Sequence, residues 1–443
     1  MDIQSGGMAY TGSEKRAVAL SATLGFCLDF YDLVIIAFLI VPIQKSLGIS
    51  LTQAGALTSV TLIGSVAGGI FFGWLGDKIG RKPTLLWTMA LFATGSMFSA
   101  FSWNFESLLL FRFLAGLGIG GEWAAGIVLF NEVWNPKRRG FGSGVVQAMA
   151  AVGAALASTV AIWSLSTFSP EWGWRIALLT GGAPIFLMIY VRYWMPESRL
   201  WLQYDRLRRA GELPPEKLNE KVSVLEVFRG ASCKYTVLGA IAVGAAFFSY
   251  QSGTVFTPTL MIKELGTPPA MVRNVTLMFA LFMGSGMLLA GWFSDRHGRK
   301  LAAIIPNLIT MAGFIGMFAA GRMGFVFPGA IWLWPFFWGY MIWALGQSAQ
   351  AMFGPWFSEL FPVELRSAGT AVAYNIGRGI GAIAPFTVPM VAKATGGSLL
   401  NGMMVGIIGS VIFFVVAMFL PETAGREFAV VERKERESVK VTL

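Results

Sequence analysis

The stretch 73–82, GWLGDKIGRK, returns 218 residues later as GWFSDRHGRK at 291–300. Each copy keeps Gly-Trp, an aspartate and a closing Gly-Arg-Lys in register, and each lies between long apolar runs. Two more pairs follow in the same order. NEVWNPKRRG, with Glu132 and Arg139, matches SELFPVELRS, with Glu359 and Arg366, at an offset of 227. PESR at 196–199 matches PETAG at 421–425, at an offset of 225. Three motifs repeating in one order mark an internal duplication with both halves in the same orientation.

The runs around these motifs are those of a membrane protein. Of 443 residues 55% are hydrophobic and 13% charged, against about 45–50% and about 25% in soluble domains. That excludes a soluble enzyme, a disordered chain and a nucleic-acid binder. Two cysteines, Cys27 and Cys233, and one histidine, His297, leave no material for a disulfide framework, a metal cluster or a Ser–His pair.

A spanning helix needs about 20 mostly apolar residues. Uncharged runs cover 46–76, 83–105, 140–170, 235–262, 274–294, 301–321, 323–358 and 394–421. Tolerating isolated charges adds 17–44, 107–131, 172–195 and 367–392. The expectation is an all-α polytopic membrane protein of twelve transmembrane helices in two pseudo-symmetric halves. They divide as a first half at 1–195, a charged central loop at 196–234, a second half at 235–421 and a tail at 422–443. The polar residues 1–16 lead into a span too long for a cleavable signal, so the first helix should stay as an anchor.

Lys and Arg orient the bundle. With both ends cytoplasmic, the inner segments hold 25 of the 34, the outer loops five and the spans four. The positive-inside rule then predicts cytoplasmic termini and explains the net charge of +10 without a nucleic-acid partner.

The G-x-L-x-D-x-x-G-R-K loop resembles the signature of the major facilitator superfamily. RFLAGLGIGG (112–121), PESRLWL (196–202), GPWFSELFPVELR (354–366) and PETAGRE (421–427) are similar to its "sugar and other" transporter branch. LDFYDL (28–33), GGEW (120–123) and YNIGR (374–378) resemble the bacterial organic-acid proton symporters within it. The resemblance implies the major facilitator fold, alternating access, and a site between the halves near the bilayer midplane. It also implies that Asp32 and Arg112 form a proton-coupling pair, and that Gln147 and Gln251 stand where sugar porters place sugar-binding amides. QSGTV (251–255) lacks the asparagine of the sugar-porter pattern, which argues against a sugar.

The duplicated acids and arginines suggest a gate. Asp77, Arg81, Glu132 and Arg139, with Asp295, Arg299, Glu359 and Arg366 in the second half, can pair across neighbouring helix ends and latch one conformation. Alternatively the basic residues only enforce topology, although topology does not require the recurring aspartate.

A charge at the bilayer centre costs about 2.5–3.5 kcal/mol on insertion scales, so buried charges should carry function. Asp29, Asp32, Arg112, Glu122 and Arg378 qualify, whereas Arg175 and Arg192 lie near span ends and can snorkel. Asp32 and Arg112 fall at similar depth, roughly 9–14 Å below the outer face, and a static packing pair is the competing reading. Asp29 lies one turn from Asp32. One arginine cannot neutralise three carboxyls, so at least one should hold a proton near neutral pH. Asp29 is the first candidate and Glu122 the second, unless Glu122 bonds backbone beside its glycines.

Arg378 lies about 18 Å along its helix from Arg366. It is the only charge deep in the second half, and its planar fork suits a carboxylate. An anionic substrate is one counter-ion, and a helix-1 aspartate across the interface is the other. Gln147, Gln251, Gln347, Tyr374 and Asn375 are supporting substrate contacts. Most of Trp332, Trp334, Trp338, Tyr340 and Trp343 are expected at the lipid interface.

The resulting expectation is a symporter of a small organic acid in a bacterial or archaeal cytoplasmic membrane, functional as a monomer. It uses the proton as coupling ion and has no cofactor. A sugar or neutral-metabolite transporter is the alternative. A membrane sensor on the same scaffold is the non-transporting one.

Overall fold

The computed structural model describes residues 10–49, 51–212, 224–323 and 329–426, and every regular element among them is helical. The first half contains α1 (Gly12–Leu47), α2 (Leu51–Ile79), α3 (Arg81–Ser99), α4 (Phe105–Val133) and α5 (Arg139–Thr167). Its sixth span is made of α6 (Pro170–Leu179) and α7 (Pro184–Trp194). A surface helix, α8 (Arg199–Ala210), leads to the second half. There α9 (Gly230–Thr254) with α10 (Thr257–Lys263), α11 (Pro269–His297) and α12 (Arg299–Arg322) are the seventh to ninth spans. The last three are α13 (Pro335–Gly346) with α14 (Phe353–Leu360), α15 (Arg366–Gly381) with α16 (Ala384–Ala394), and α17 (Leu399–Met403) with α18 (Gly406–Phe419).

The duplication read from the motifs is present in the backbone. Gly80 (φ 105°, ψ 161°) precedes α3 and Gly298 (φ 97°, ψ 162°) precedes α12. This is a conformation that glycine adopts at little cost. It turns the chain sharply between consecutive spans at the same place in each half. Small residues set the close helix approaches. A Cβ on Gly116 or Gly120 of α4 would fall 2.2 Å from the Thr61 carbonyl oxygen or 1.8 Å from that of Ser65 on α2. This packing fixes α4, and with it Glu122 and Trp123, against the first half.

Among the described residues nine helical stretches are long and apolar enough to cross a membrane. The third, tenth and eleventh spans fall short of that measure. The third has only 19 residues and opens with Arg81 and Lys82, the tenth is interrupted, and the eleventh is polar along much of its length. Several spans expected as single helices are broken. The sixth turns through Thr180–Gly182 before Pro184, the seventh restarts at Thr257-Pro258, and the eleventh restarts at Ala384-Pro385. A proline lacks the N–H that would continue the ladder but suits a first helical turn.

The tenth span departs most from expectation. Its helix begins at Pro335 and not at 323; Ile331–Leu333 is a single 3-10 turn, and residues 324–328 lie outside the described residues. The central loop also holds more structure than expected. It contains α8, and α9 begins at Gly230 inside it. Residues 1–9, 213–223 and 427–443 lie outside the described residues.

Candidate functional site

At one end of the bundle the duplicated motifs meet across the two halves. Arg366 of α15 donates to Glu132 of α4 at 2.7 Å, and Arg81 reaches the same carboxylate at 3.3 Å and Asp77 at 3.1 Å. The mirror cluster has Arg139 of α5 on Glu359 of α14 at 2.9 Å, with Arg299 on Glu359 at 3.0 Å and on Asp295 at 3.0 Å. The aspartates also accept backbone N–H groups from the opposite half. Asp77 takes those of Ser367 (3.1 Å) and Ala368 (2.7 Å) at the start of α15; Asp295 takes those of Gly140 (2.7 Å) and Phe141 (2.8 Å) at the start of α5. A carboxylate at a helix N-terminus satisfies unpaired donors and complements the helix dipole. All eight residues considered for the gate are therefore brought together in two symmetric clusters.

Two glutamates that sequence reasoning left out complete these clusters. Glu197 accepts from the N–H groups of Arg81 and Lys82 at 3.1 Å each, and Glu422 from those of Arg299 and Lys300 at 2.9 and 3.0 Å. Burial pushes the Glu197 carboxyl up. Burial also acts to raise Glu422, but the N–H groups of Ala424, Arg299, Lys300 and Thr423 outweigh it and hold the carboxyl below its usual range. The signal was available, since the glutamate of PESR recurs in PETAG. Residues 422–426, expected as part of a tail, belong to the second cluster. Thr423 donates to Glu359 at 2.7 Å, and Arg426 donates to the Glu359 carbonyl at 3.1 Å.

Deeper in the bundle, Arg112 of α4 pairs with Asp32 of α1 at 2.9 Å, both fully buried. Ser96 donates to the other Asp32 oxygen, and Arg112 Nε donates to Ser99 at 2.9 Å. Asp29 is one turn away on α1. Its carboxyl and that of Glu122 line one cavity of about 10 Å³, room for a single water. Glu122 Oε1 occupies the space beside Gly25 where a Cβ would stand.

Arg378, near the C-terminal end of α15, is half-buried. Its guanidinium lies 5.7 Å from the Tyr374 ring and 6.0 Å from the Phe247 ring. Asp29 is within its electrostatic reach, but among the described residues Arg378 makes no ion pair. Arg81, Arg112, Arg139, Arg299 and Arg366 each have a carboxylate within 3.3 Å.

The aromatic and amide residues divide. Tyr374 stacks on Trp123 of the first half with centroids 3.5 Å apart and planes 14° from parallel. Trp123 Nε1 donates to Gln147 at 3.4 Å, and Gln147 donates across the halves to the Gln350 carbonyl at 3.2 Å. Gln347 accepts from Gln350 at 3.2 Å, and Gln251 is half-buried on α9. Asn375 stands apart, with Nδ2 on the Ala371 carbonyl (3.0 Å) and its amide filling the space beside Gly69 of α2. Trp123 gave no sequence signal beyond its place in the GGEW motif.

One expectation is corrected. Trp334, Tyr340 and Trp343 are buried, and only Trp332 and Trp338 are exposed. Trp343 stacks on Tyr340 and Phe279. It fits because Gly253 and Gly313 leave it room: a Cβ on either would fall within 2.4 Å of it. Arg175 lies near its span end as expected. It donates to the carbonyls of Ala100 (2.8 Å) and Ser102 (2.7 Å), closing the end of α3.

The sequence profile of the Major Facilitator Superfamily matches residues 22–254, and that of the Sugar (and other) transporter family matches residues 210–434. A probable 4-methylmuconolactone transporter of Cupriavidus pinatubonensis is 29% identical over 406 residues, covering 90% of this chain and 89% of that protein. The cis,cis-muconate transport protein of Acinetobacter baylyi is 27% identical over 424 residues, covering 93% and 96%. The proton:xylose symporter XylE, solved with 6-bromo-6-deoxy-D-glucose, shares the fold with a TM-score of 0.75 at 20% identity, covering 97% of this chain and all of that one. With twelve spans, duplicated loops and two matching profiles, the chain belongs to the Major Facilitator Superfamily and is a multi-pass membrane transporter, not an enzyme.

Proposed function

We propose that the chain is a proton-coupled symporter of a small organic carboxylate, working by alternating access with its site between the halves. The observation that carries this reading is Arg378. Among the described residues it is a half-buried arginine set against two aromatic rings at the seam, without the ion pair that Arg81, Arg112, Arg139, Arg299 and Arg366 each make. A permanently charged guanidinium at that depth calls for an anion. A carboxylate offers it two parallel hydrogen bonds. Relatives named for muconolactone and muconate transport are consistent with such a substrate.

Proton coupling falls to Asp29 and Glu122, with Asp32–Arg112 beside them. Two carboxyls facing one small buried cavity disfavour both being charged at once. The adjoining cavity leaves room for one water beside both carboxyls. No cofactor is needed. The paired clusters act as the gate, closed in this arrangement, and the excess of Lys and Arg at that end supports a cytoplasmic side for it and for both termini. The protein then sits in a cytoplasmic membrane and works as a monomer.

Uptake into proteoliposomes across a panel of acids and sugars, with and without a pH gradient, tests the reading. Gradient-driven uptake of carboxylates supports it. Uptake confined to sugars contradicts it and makes Arg378 structural.

A further inference from the structure

Trp123 and Tyr374 come from opposite halves, and each covers the other's ring face; both are buried. At about 1.5 Å per residue, Trp123 lies about 15 Å from the gated end of α4 and Tyr374 about 12 Å from that end of α15. Arg378 is one turn further from the gate than Tyr374, on the same helical face. The stacked rings therefore floor the Arg378 site on its gated side. Phe247 and Phe353 meet the Tyr374 ring edge-on at 5.7 and 6.4 Å, which holds it in plane. The Gln147 bond orients the indole in turn. A stack spanning the two halves must part whenever they separate at this level, and parting exposes two large flat π faces directly beneath the guanidinium.

We propose that the substrate is a planar, conjugated carboxylate. Its carboxylate pairs with Arg378, and its π system takes the place of one ring of the Trp123–Tyr374 stack as the halves part. A saturated acid of equal size and charge satisfies the arginine but leaves both ring faces uncovered. This inference rests on the carboxylate reading and goes beyond it in naming the shape of the acid.

The test uses two matched pairs, each equal in carbon number and charge: benzoate against cyclohexanecarboxylate, and cis,cis-muconate against adipate. Binding to the purified full chain in nanodiscs is measured by calorimetry for the parent, Trp123→Leu, Trp123→Phe and Arg378→Lys. In at least one pair the planar acid should bind about tenfold tighter than its saturated partner, a ratio set by stacking. The ratio should collapse toward one in Trp123→Leu and recover in Trp123→Phe, while Arg378→Lys weakens both members alike. Equal binding of planar and saturated acids by the parent overturns the inference and leaves the carboxylate reading standing. A planar preference that survives Trp123→Leu overturns the role of the stack. Failure of every acid to bind the parent overturns the inference together with the reading beneath it.

Discussion

Arg139 of the first half donates to Glu359 of the second at 2.9 Å, with both side chains almost fully buried. Glu359 also holds Arg299, so one carboxylate ties the two halves at this end of the bundle. Removing one partner of a buried pair costs about 3–5 kcal/mol, because the remaining charge stays uncompensated. Glu359→Gln should therefore shift the protein toward the arrangement open at this end. Spin labels at Lys137 and Arg296, in a background lacking Cys27 and Cys233, should report a longer inter-half distance. An unchanged distance distribution would show that the clusters do not hold the gate.

A second route to opening leaves the charges alone. A Cβ on Gly144 of α5 would lie 2.5 Å from the Met287 carbonyl oxygen of α11, a backbone atom that cannot rotate away. Gly144→Ala should move the same labels apart, by less than Glu359→Gln, and equally at low and high salt. An effect that disappears at high salt would point to electrostatics and not to the close approach.

Asp29→Asn fixes one member of the carboxyl pair in a form that cannot release a proton. Exchange of labelled substrate between equal internal and external pools should persist, because it needs no net proton movement. Accumulation driven by a pH gradient should fail. Parallel loss of both activities would place Asp29 in the substrate site and remove it from proton coupling.

Glu422 gives a pH signature outside the spans. Its carboxyl is held below its ordinary value of 4.5 by backbone donors, so its contribution is fully present above that value and is lost as pH falls through the lower folded-state value. Thermal melting in detergent should show Glu422→Gln less stable than the parent at neutral pH. The gap should close as the pH drops below about 4.5. A gap that persists in acid would mean that the charge on Glu422 does not contribute.

The parts of this architecture that were legible in the sequence were those written twice. Asp77 and Asp295, or Glu132 and Glu359, stand out because an acid recurring in a basic loop is not needed for topology. Asp32 and Arg112 were readable because charge in an apolar span is costly. What depended on which way a side chain faces was not legible. Trp334, Tyr340 and Trp343 look like interface aromatics by composition, yet the space left by Gly253 and Gly313 draws Trp343 inside. Asn375 follows Tyr374 in the chain but turns toward Gly69, since neighbours on a helix point about 100° apart. The Trp123–Tyr374 stack joins residues 251 positions apart, and no local pattern announces it. An unbroken apolar run also hides where a helix starts, as at Pro335.

The most direct test of the account is carboxylate accumulation in proteoliposomes by the parent and by Arg378→Lys, under an imposed gradient with the inside alkaline. Lysine keeps the charge and loses the planar fork. For a monovalent anion moving with one proton the electrical term cancels, and one pH unit supports about tenfold accumulation. The account predicts that accumulation in the parent, none in the lysine variant despite normal folding, and no uptake from a potassium–valinomycin potential at equal pH. A lysine variant that accumulates the acid like the parent would contradict the role given to Arg378, and uptake driven by the potential alone would contradict one-to-one electroneutral coupling.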